Sequence, residues 1–268
     1  MIGAATPRIE RREELGSTHD ALREAWRASE GRLPSGTGIA TFSQTSGRGR
    51  HGRAWIAPPG KTLALSVLVV AEDAAEDARG FGWLTLAAGL AVRDVLAPLL
   101  PAGADLSMKW PNDVLVDGRK ISGILGELLD PRPGSLAASI GIGLNLTLGE
   151  DELPVPHATS LAIAGVEVDD ALRDRLPEAI AARLLARAAA LEEARWDAEA
   201  SGLRAELERS CSTVGQQVRA TLPGGDAIVG RAVGIDGGGR LLIERADRPG
   251  AEPYALAAGD VERVRPTE

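Results

Sequence analysis

The sequence reads Gln44-Thr45-Ser46-Gly47-Arg48-Gly49-Arg50-His51-Gly52-Arg53-Ala54-Trp55 at its most informative point. Three arginines and three glycines fall within seven residues of this stretch. Glycine loses much conformational entropy on ordering and neighbouring guanidinium groups repel, so the segment is not expected to form a stable helix or strand alone. Glycines do let the backbone approach an anion, and arginines supply forked donors. The composition fits an anion-binding loop, a solvated basic turn or an RNA-binding arginine–glycine segment.

The flanking sequence favours the binding loop. Thr37–Ser43 precedes the basic segment and Thr62–Val70 follows it, both with the composition of β-strands. The second run is nearly all apolar, as in a strand buried on both faces. The basic segment itself ends in Trp55. A loop held by a rigid sheet is the expected position of a binding site.

From about Ile9 to about Glu208, strand-like and helix-like runs alternate, which predicts an α/β domain of the α+β type, with a mixed sheet and packed helices. Asp117-Gly118 separates two strand-like runs and is a strong hairpin signal. Pro177 is typical of a helix start. The predicted elements are a helix over Phe81–Leu100, strands over Asp113–Val116, Ile121–Leu128 and Leu136–Leu144, and a helix within Glu178–Glu193.

After about Ser212 the texture changes to short strands between glycine-rich turns. The predicted strands are Gln217–Leu222, Ala227–Ile235, Arg240–Glu244 and Val261–Val264. Short strands with tight turns predict a small β-barrel. We therefore expect two domains, residues 1–211 and 212–268.

Composition excludes several functional classes. The 268 residues are 44% hydrophobic and carry a net charge of −8, which allows one sizeable core but disfavours attraction to nucleic acid or an anionic membrane. No apolar run approaches the roughly 20 residues of a membrane span, and the first residues do not have the pattern of a signal peptide. The single cysteine, Cys211, leaves no internal disulfide framework or multi-cysteine metal site. These features predict a cytoplasmic protein with no membrane partner.

A second group of polar residues lies in Lys109-Trp110-Pro111-Asn112-Asp113 and at Lys120 and Asn145. Lys120 enters an apolar strand, where it could offer a compact charge to a phosphate or carboxylate, although a lysine there is also typical of an exposed strand edge. Trp110 is expected to pack in the core. Asn112 and Asn145 could match a purine edge or simply cap turns.

Together these segments resemble the biotin–protein ligase family, because its motifs occur here in the family's order. They are Gly16-Ser17-Thr18, Gln44 through Trp55, Lys109–Asp113, Gly118–Leu125 and Gly141–Asn145. The resemblance covers most of the first 150 residues motif by motif, and the remainder by length and texture. A lone arginine–glycine run would be weak support, whereas the ordered set is specific.

The resemblance implies a mixed sheet followed by an SH3-like β-barrel, with a site for biotin and ATP. The residues implied for biotin are Ser17, Thr18, Gln44, Gly47, Arg48, Gly49, Arg50, Lys120 and Gly123. The residues implied for ATP or the adenylate are Arg48, Arg50, Trp55, Lys109, Asn112, Lys120 and Asn145.

The resemblance also implies a role for each group. Ser17, Thr18 and Gln44 would hold the ureido ring of biotin, and backbone groups around Gly47–Arg50 would take its carboxylate. Trp55 would cover the adenine, while Asn112 and Asn145 would hydrogen-bond it. Lys120, Arg50 and Arg53 would be the catalytic residues, which neutralise the phosphates and the reacting carboxylate.

One residue departs from the family's pattern. His19 follows the Ser-Thr pair, where the family usually has asparagine. Imidazole offers one similar hydrogen bond, but it is bulkier and titrates near neutral pH. His19 is therefore left out of the predicted site.

The implied activity is an ATP-dependent ligation in two steps. Biotin is activated as biotinyl-adenylate, and the biotinyl group then passes to a lysine of a biotin carboxyl carrier protein or a biotinyl domain of an acyl-CoA carboxylase. ATP and Mg²⁺ are the implied cofactors, and biotin is the substrate. Asp113 would be a partner of Lys109 or Lys120, or an acid linked to the magnesium ion.

Three other functions were weighed. A lipoate–protein ligase would share the fold, but lipoate has no ureido ring to occupy Ser17, Thr18 and Gln44. A biotin-responsive DNA-binding repressor would need an N-terminal helix-turn-helix, for which the sixteen residues before Ser17 are too few. No specific DNA binding is therefore expected. A protein that only binds other proteins would not explain the group of residues that is typical of a nucleotide-binding site.

The composition of Gly47–Arg53 predicts that this loop is disordered without ligand and is ordered by biotin or its adenylate. Ordering each backbone residue costs about 1–2 kcal/mol, and the arginines repel one another until an anion lies among them. Trypsin should therefore cut at Arg48, Arg50 and Arg53 quickly in the free protein and slowly with biotin plus ATP. Equal cleavage in both states, at saturating ligand and with activity confirmed, would contradict a closing loop.

Overall fold

The computed structural model describes residues 2–55, 58–72, 81–130, 135–222, 225–257 and 259–264. Its strands, in chain order, are β1 (Arg8–Arg11), β2 (Thr37–Thr41), β3 (Gly47–Arg48), β4 (Ala54–Trp55), β5 (Thr62–Glu72), β6 (Leu106–Lys109), β7 (Asp113–Val116), β8 (Arg119–Leu128), β9 (Ser135–Asn145), β10 (Gln217–Thr221), β11 (Ala227–Ile235), β12 (Leu241–Arg245), β13 (Tyr254–Leu256) and β14 (Asp260–Arg263). Its α-helices are α1 (Thr18–Ala28), α2 (Phe81–Leu96), α3 (Asp170–Glu193) and α4 (Leu203–Ser210).

The first part of the chain forms a seven-stranded sheet with the order β1-β2-β5-β9-β8-β7-β6. β1 and β2 are parallel, and the other neighbours are antiparallel. The sheet is therefore mixed, and the predicted α+β class is confirmed. Helix α1 connects the parallel strands β1 and β2, and helix α2 connects β5 with the distant edge strand β6, whereas the antiparallel neighbours β6, β7 and β8 are joined by tight turns.

β5 is buried on both faces, as its apolar sequence predicts. Leu63 and Leu65 belong to the main core, whereas Leu68 and Val70 belong to a second, smaller core. Side chains of a strand alternate between the two faces of a sheet, so one strand supplies both cores. Helices α2 and α3 cover the face of the main core. Helix α1 covers the other face, with Leu22 and Trp26 in the smaller core.

The hairpin predicted at Asp117-Gly118 is confirmed. Both residues have positive φ angles, 50° and 74°, which is the geometry of a two-residue hairpin turn between β7 and β8. The pairing shifts by one residue between Val114 and Leu115. This irregularity lies directly opposite the start of β8, where Lys120 enters the sheet.

Two predicted helix boundaries are wrong. The last long helix begins at Asp170, not near Glu178, and Pro177 lies inside it. Asp169 provides the true start, because its carboxylate Oδ1 accepts a hydrogen bond from the backbone N–H of Leu172 at 2.7 Å. The helix predicted over Phe81–Leu100 ends at Leu96 and continues as turns. Proline at 101 disfavours helical geometry for the residue before it, so the end of the apolar run does not remain helical.

The second part of the chain forms a five-stranded antiparallel sheet with the order β13-β12-β11-β10-β14, which fits the SH3-like class that was predicted. Two tryptophans of the first part of the chain donate hydrogen bonds to this small sheet. The indole N–H of Trp83 donates to the carbonyl of Gly237 at 2.8 Å, and that of Trp110 donates to the carbonyl of Gly239 at 2.9 Å. Trp110 is 2% exposed, so its predicted core position is confirmed.

The sequence analysis missed several elements. These are β1, β6, β13, α1 and α4. All are short, with at most eleven residues, and most carry charged residues that mask their periodicity. In the part of the chain that the structure describes, no helix is long and apolar enough to cross a membrane.

We expect Gly230→Ala to destabilise the small sheet. A Cβ atom at this position would lie 2.0 Å from the carbonyl oxygen of Glu244 on the paired strand, and backbone cannot move aside. Overpacking of this kind costs about 1–3 kcal/mol, which should lower the thermal unfolding temperature. Gly237→Ala is the matched control, since nothing lies within 4 Å of its Cβ position. Equal unfolding temperatures for the two variants would contradict the β11–β12 pairing.

Candidate functional site

The site is built on a floor of bare backbone in the middle of the large sheet. Gly123 of β8 pairs with Gly143 of β9, and Gly141 lies two residues before Gly143 on the same face. This is the face that α1 covers, whereas Ile140 and Ile142 point into the main core on the other face. The backbone groups of these glycines are paired within the sheet. The floor therefore offers flat apolar space without unsatisfied polar atoms.

A cavity of about 700 Å³ stands over this floor. Its walls come from the N-terminus of α1, the basic loop, the segment 154–158 and strand β14 of the small sheet. The size lies within the range of cavities that hold small molecules and cofactors. Both sheets thus contribute to one cavity.

One end of the cavity is an ordered hydrogen-bond network at the start of α1. Ser17 caps the helix, and its hydroxyl accepts from the backbone N–H of Asp20 at 3.4 Å. The side-chain oxygen of Gln44 accepts from the backbone N–H of Thr18 at 2.9 Å and from its hydroxyl at 3.2 Å. Ser66 of β5 in turn donates to the Thr18 hydroxyl at 2.8 Å. The structure thus brings together the three residues predicted for a ureido ring.

The basic segment folds back as a hairpin of β3 and β4 around a single 3-10 turn over Arg50–Gly52. Arg48 leaves this hairpin to form ion pairs with Asp20 of α1, at 2.8 Å, and with Glu127 of β8, at 3.4 Å. Its side chain is 42% exposed. Arg48 is therefore held by carboxylates of the protein at the edge of the cavity.

Arg50 and Arg53 reach the small sheet. The Arg50 guanidinium donates to the side-chain oxygen of Asn112 at 3.3 Å and to the carbonyl of Gly259 at 3.2 Å. Arg53 forms an ion pair with Asp260. Partial burial lowers the pKa of Arg50 from its ordinary value, while Asp260 and Asp113 act to raise it. Arg50 remains a cation at neutral pH, because arginine's ordinary pKa lies far above it.

Trp55 lies on the glycine floor. A Cβ atom on Gly143 would meet the indole ring at 2.5 Å, and one on Gly123 would meet it at 3.1 Å. Its indole N–H is buried and has no hydrogen-bond partner among the described residues. The ring therefore occupies space that a flat ligand would otherwise fill. Its predicted role over an adenine stays a prediction.

Lys120 lies beside this ring and lines the cavity. Its ammonium group lies 2.6 Å from Oδ1 of Asp113 and 5.7 Å from the centroid of the Trp55 ring. Its backbone is fixed by hydrogen bonds to the carbonyl of His157 and from the N–H of Thr159. Of the two lysines considered for Asp113, Lys120 is the one in contact. Lys109 lines the same cavity.

The side-chain amides of both predicted asparagines donate hydrogen bonds to backbone carbonyls of neighbouring segments. Asn112 donates to the carbonyl of Ile124 at 2.9 Å, besides accepting from Arg50. Asn145 is 3% exposed and donates to the carbonyl of Thr159 at 2.8 Å. Both residues thus stabilise local backbone structure, which was the alternative to a contact with a purine. Their predicted contacts with adenine stay predictions.

The acids of the site do not form a metal cage. Among the residues that the structure describes, no group of three or more His, Cys, Asp or Glu could hold a metal ion. Asp113 provides one carboxylate at the cavity, next to Lys120. Magnesium at nucleotide sites is held by one or two carboxylates together with the phosphates. The residues therefore fit a magnesium ion that arrives with a nucleotide.

Sequence reasoning missed three parts of the site. Ser66 supports Thr18 from a strand whose residues read as core. Gly259 and Asp260 come from the far end of the chain, and no local pattern connects them to the basic loop. The wall segment 154–158 contains two prolines, which mark it as a fixed loop but not as part of a cavity.

Two family models match the chain. The "Biotin/lipoate A/B protein ligase family" model matches residues 13–145, and the "Biotin protein ligase C terminal domain" model matches residues 213–264. The chain is 39% identical over 253 residues to the biotin–[acetyl-CoA-carboxylase] ligase of Mycobacterium tuberculosis, covering 94% of this chain and 87% of the relative. It is 33% identical over 221 residues to the bifunctional ligase/repressor of Escherichia coli, covering 80% and 64%.

Solved structures agree with these matches. The biotin protein ligase of Aquifex aeolicus in complex with biotin and ATP superposes with a TM-score of 0.74 at 26% identity, covering 96% of this chain and 99% of the other. The Leishmania major biotin protein ligase in complex with biotinyl-5-AMP gives a TM-score of 0.59 at 28% identity, covering 97% and 100%.

We expect Asp260→Asn to loosen the basic loop, because it removes the charge that Arg53 contacts on the small sheet. An exposed ion pair contributes about 0.2–1 kcal/mol, so trypsin cleavage at the loop arginines should rise by about fivefold at most, where cleavage follows the open population. Asp247→Asn is the matched control, since it removes a 2.6 Å pair with Arg245 elsewhere on the same sheet. Identical cleavage of both variants would show that Asp260 does not hold the loop.

Proposed function

The chain belongs to the biotin protein ligase family, and we propose that it activates biotin with ATP as biotinyl-5′-AMP and transfers the biotinyl group to a lysine of a carrier protein. The observation that carries this proposal is the position of Lys120. Its ammonium group lies beside Asp113, the Trp55 ring and Gly123 of the glycine floor, and Lys120 shares one cavity of about 700 Å³ with the start of α1 and the arginine hairpin. That arrangement fits a small acid at one end and a nucleotide at the other.

The first step must bring two anions together. A carboxylate oxygen of biotin attacks the α-phosphorus of ATP, the bond from that phosphorus to the bridging oxygen breaks, and pyrophosphate leaves. Repulsion between the anions opposes this approach. Lys120 and Arg50 are preorganised cations at the cavity, held by Asp113 and Asn112 respectively. Fixed charges of this kind stabilise the developing charge without reorganisation during the reaction.

The second step transfers the acyl group. The ε-amine of the carrier lysine attacks the acyl carbon, the bond to the AMP oxygen breaks, AMP leaves, and the amine loses a proton. The mixed anhydride must be kept from water until the lysine arrives. We propose that Trp55, which lies on the glycine floor at the end of the β3–β4 hairpin, helps to exclude water from it.

Magnesium and the carrier complete the proposal. A magnesium ion would offset phosphate charge, and Asp113 is the residue that would contact it. Two relatives are named ligases of acetyl-CoA carboxylase, and we propose that the carrier is a biotin carboxyl carrier protein or a biotinyl domain of an acyl-CoA carboxylase. We propose a ligase unit over residues 1–211 and a barrel over 212–268, which the family match over 213–264 supports.

The decisive experiment is labelling. The purified protein should transfer radiolabelled biotin to a biotin carrier domain in the presence of ATP and magnesium. Substitution of the carrier's target lysine by arginine should abolish the labelling. An excess of lipoate should not compete. Competition by lipoate at concentrations similar to biotin would favour the lipoate ligases of the same family instead.

We expect Lys120→Ala to keep the fold and to lose most of the adenylation rate. Removing one preorganised charge from the transition state typically costs about 10²–10³ in rate. The measurement is biotin-dependent pyrophosphate exchange, with thermal unfolding to verify the fold. Lys61→Ala is the matched control, because Lys61 also pairs with an acid, Glu152 at 3.1 Å, on another part of the surface. Near-normal exchange by a folded Lys120→Ala protein would refute the assignment.

A further inference from the structure

His19 is a buried titratable side chain of the cavity that the proposed mechanism does not use. It is the second residue of α1, directly after Thr18, and only 5% of it is exposed. It lines the cavity at the end that Thr18 and Gln44 form. The side chain therefore belongs to the site by position, although it departs from the family's usual residue.

The two nitrogens of the imidazole have different surroundings. Nδ1 lies 2.7 Å from the hydroxyl of Ser139, a fully buried residue of β9. Nε2 has no hydrogen-bond partner among the described residues, and it points at the backbone of Gly141. A Cβ atom on Gly141 would lie 2.1 Å from Nε2. The ring therefore stands on end in the space that a side chain at 141 would need.

The ring is neutral in this position. Burial lowers the pKa of His19, and Arg48 and Arg23 lower it further, while Glu127 and Asp20 act to raise it. The start of a helix also disfavours a cation. A proton on Nε2 would press an unpartnered N–H against Gly141, so the favoured tautomer has the proton on Nδ1, which donates to Ser139. The hydrogen bond to Ser139 and the burial of the side chain hold the imidazole in this orientation.

Resting on the proposed function, we infer that His19 determines specificity at the ring end of the biotin pocket. Its imidazole forms a rigid wall over Gly141, and the bicyclic ring of biotin packs against the edge of that wall while Thr18 and Gln44 hold the polar side. Ligands that are larger at this edge are excluded. A shorter side chain at 19 would leave open floor above Gly141 and would lose this discrimination.

The first test compares substrates in His19→Ala and the wild type. Both proteins are assayed by pyrophosphate exchange with biotin and with biotins that carry a methyl group on the apolar tetrahydrothiophene ring, away from the ureido group that Thr18 and Gln44 would hold. A pocket discriminates one extra carbon by about 10–200-fold, so the wild type should use the methylated rings poorly. The preference for biotin should fall by about tenfold or more in His19→Ala for at least one of them. KM for ATP should stay unchanged, because the nucleotide would lie at the other end.

The outcomes separate the two proposals. A wild-type protein that does not exchange pyrophosphate with biotin would refute the proposed function. An active, folded His19→Ala protein that keeps the wild-type preference for every methylated ring would refute the role of His19 alone. A residue that merely stabilises the fold would lower the unfolding temperature and affect all the substrates equally.

The second test is a double-mutant cycle with Gly141→Ala. In the wild-type background the new Cβ would collide with the His19 ring, and kcat/KM for biotin should fall by at least tenfold. In the His19→Ala background the same methyl group has room, so Gly141→Ala should cost less than threefold. Equal losses in the two backgrounds would show that the ring does not occupy the floor above Gly141, and would overturn the inference.

Discussion

A strand buried on both faces normally needs large side chains on both, and β9 departs from this on one face only. Its residues toward α2 and α3 include Ile140 and Ile142, whereas Gly141 and Gly143 face α1. The absence of side chains at these glycines leaves a cavity above the centre of the sheet. The backbone N–H and C=O groups beneath it are still hydrogen-bonded to the neighbouring strands. The helix start, the arginine hairpin and the small sheet enclose this cavity. Their positions matter for the site only because the floor beneath them is bare.

The arginines of the hairpin pair with acidic side chains of the protein itself. Arg48 contacts Asp20 and Glu127, and Arg53 contacts Asp260. Such partly exposed pairs contribute only about 0–1 kcal/mol each, because water screens both charges. An anionic ligand can therefore take over the guanidinium groups at small cost. The partners Asp20, Glu127 and Asp260 are among the acidic residues that give the protein its net charge of −8.

Local signals were enough to predict the centre of the sheet, and the structure brings most of the predicted site residues together around one cavity. Asp117-Gly118 fixed a turn through its φ angles, and Thr62–Val70 predicted a strand buried on both faces. The helix start predicted from Pro177 was wrong, because Asp169 caps the helix at Asp170 and Pro177 lies buried in its interior. The contact of Arg53 with Asp260 joins residues 207 apart in sequence, and only the packed fold determines it. The position of Trp55 on the glycine floor likewise depends on tertiary packing.

The two indole hydrogen bonds at Gly237 and Gly239 have a consequence for evolution of the small domain. Trp83 and Trp110 recognise carbonyl oxygens, which every residue type carries, rather than particular side chains. The two hydrogen bonds themselves therefore require no particular side chain at Gly237 or Gly239, although the φ angle of +80° at Gly239 favours glycine there. Strand β14 can keep its position at the cavity while residues on the outer surface of the barrel change in evolution. Such an anchor allows one catalytic body to acquire surfaces suited to different protein substrates without rebuilding its active site.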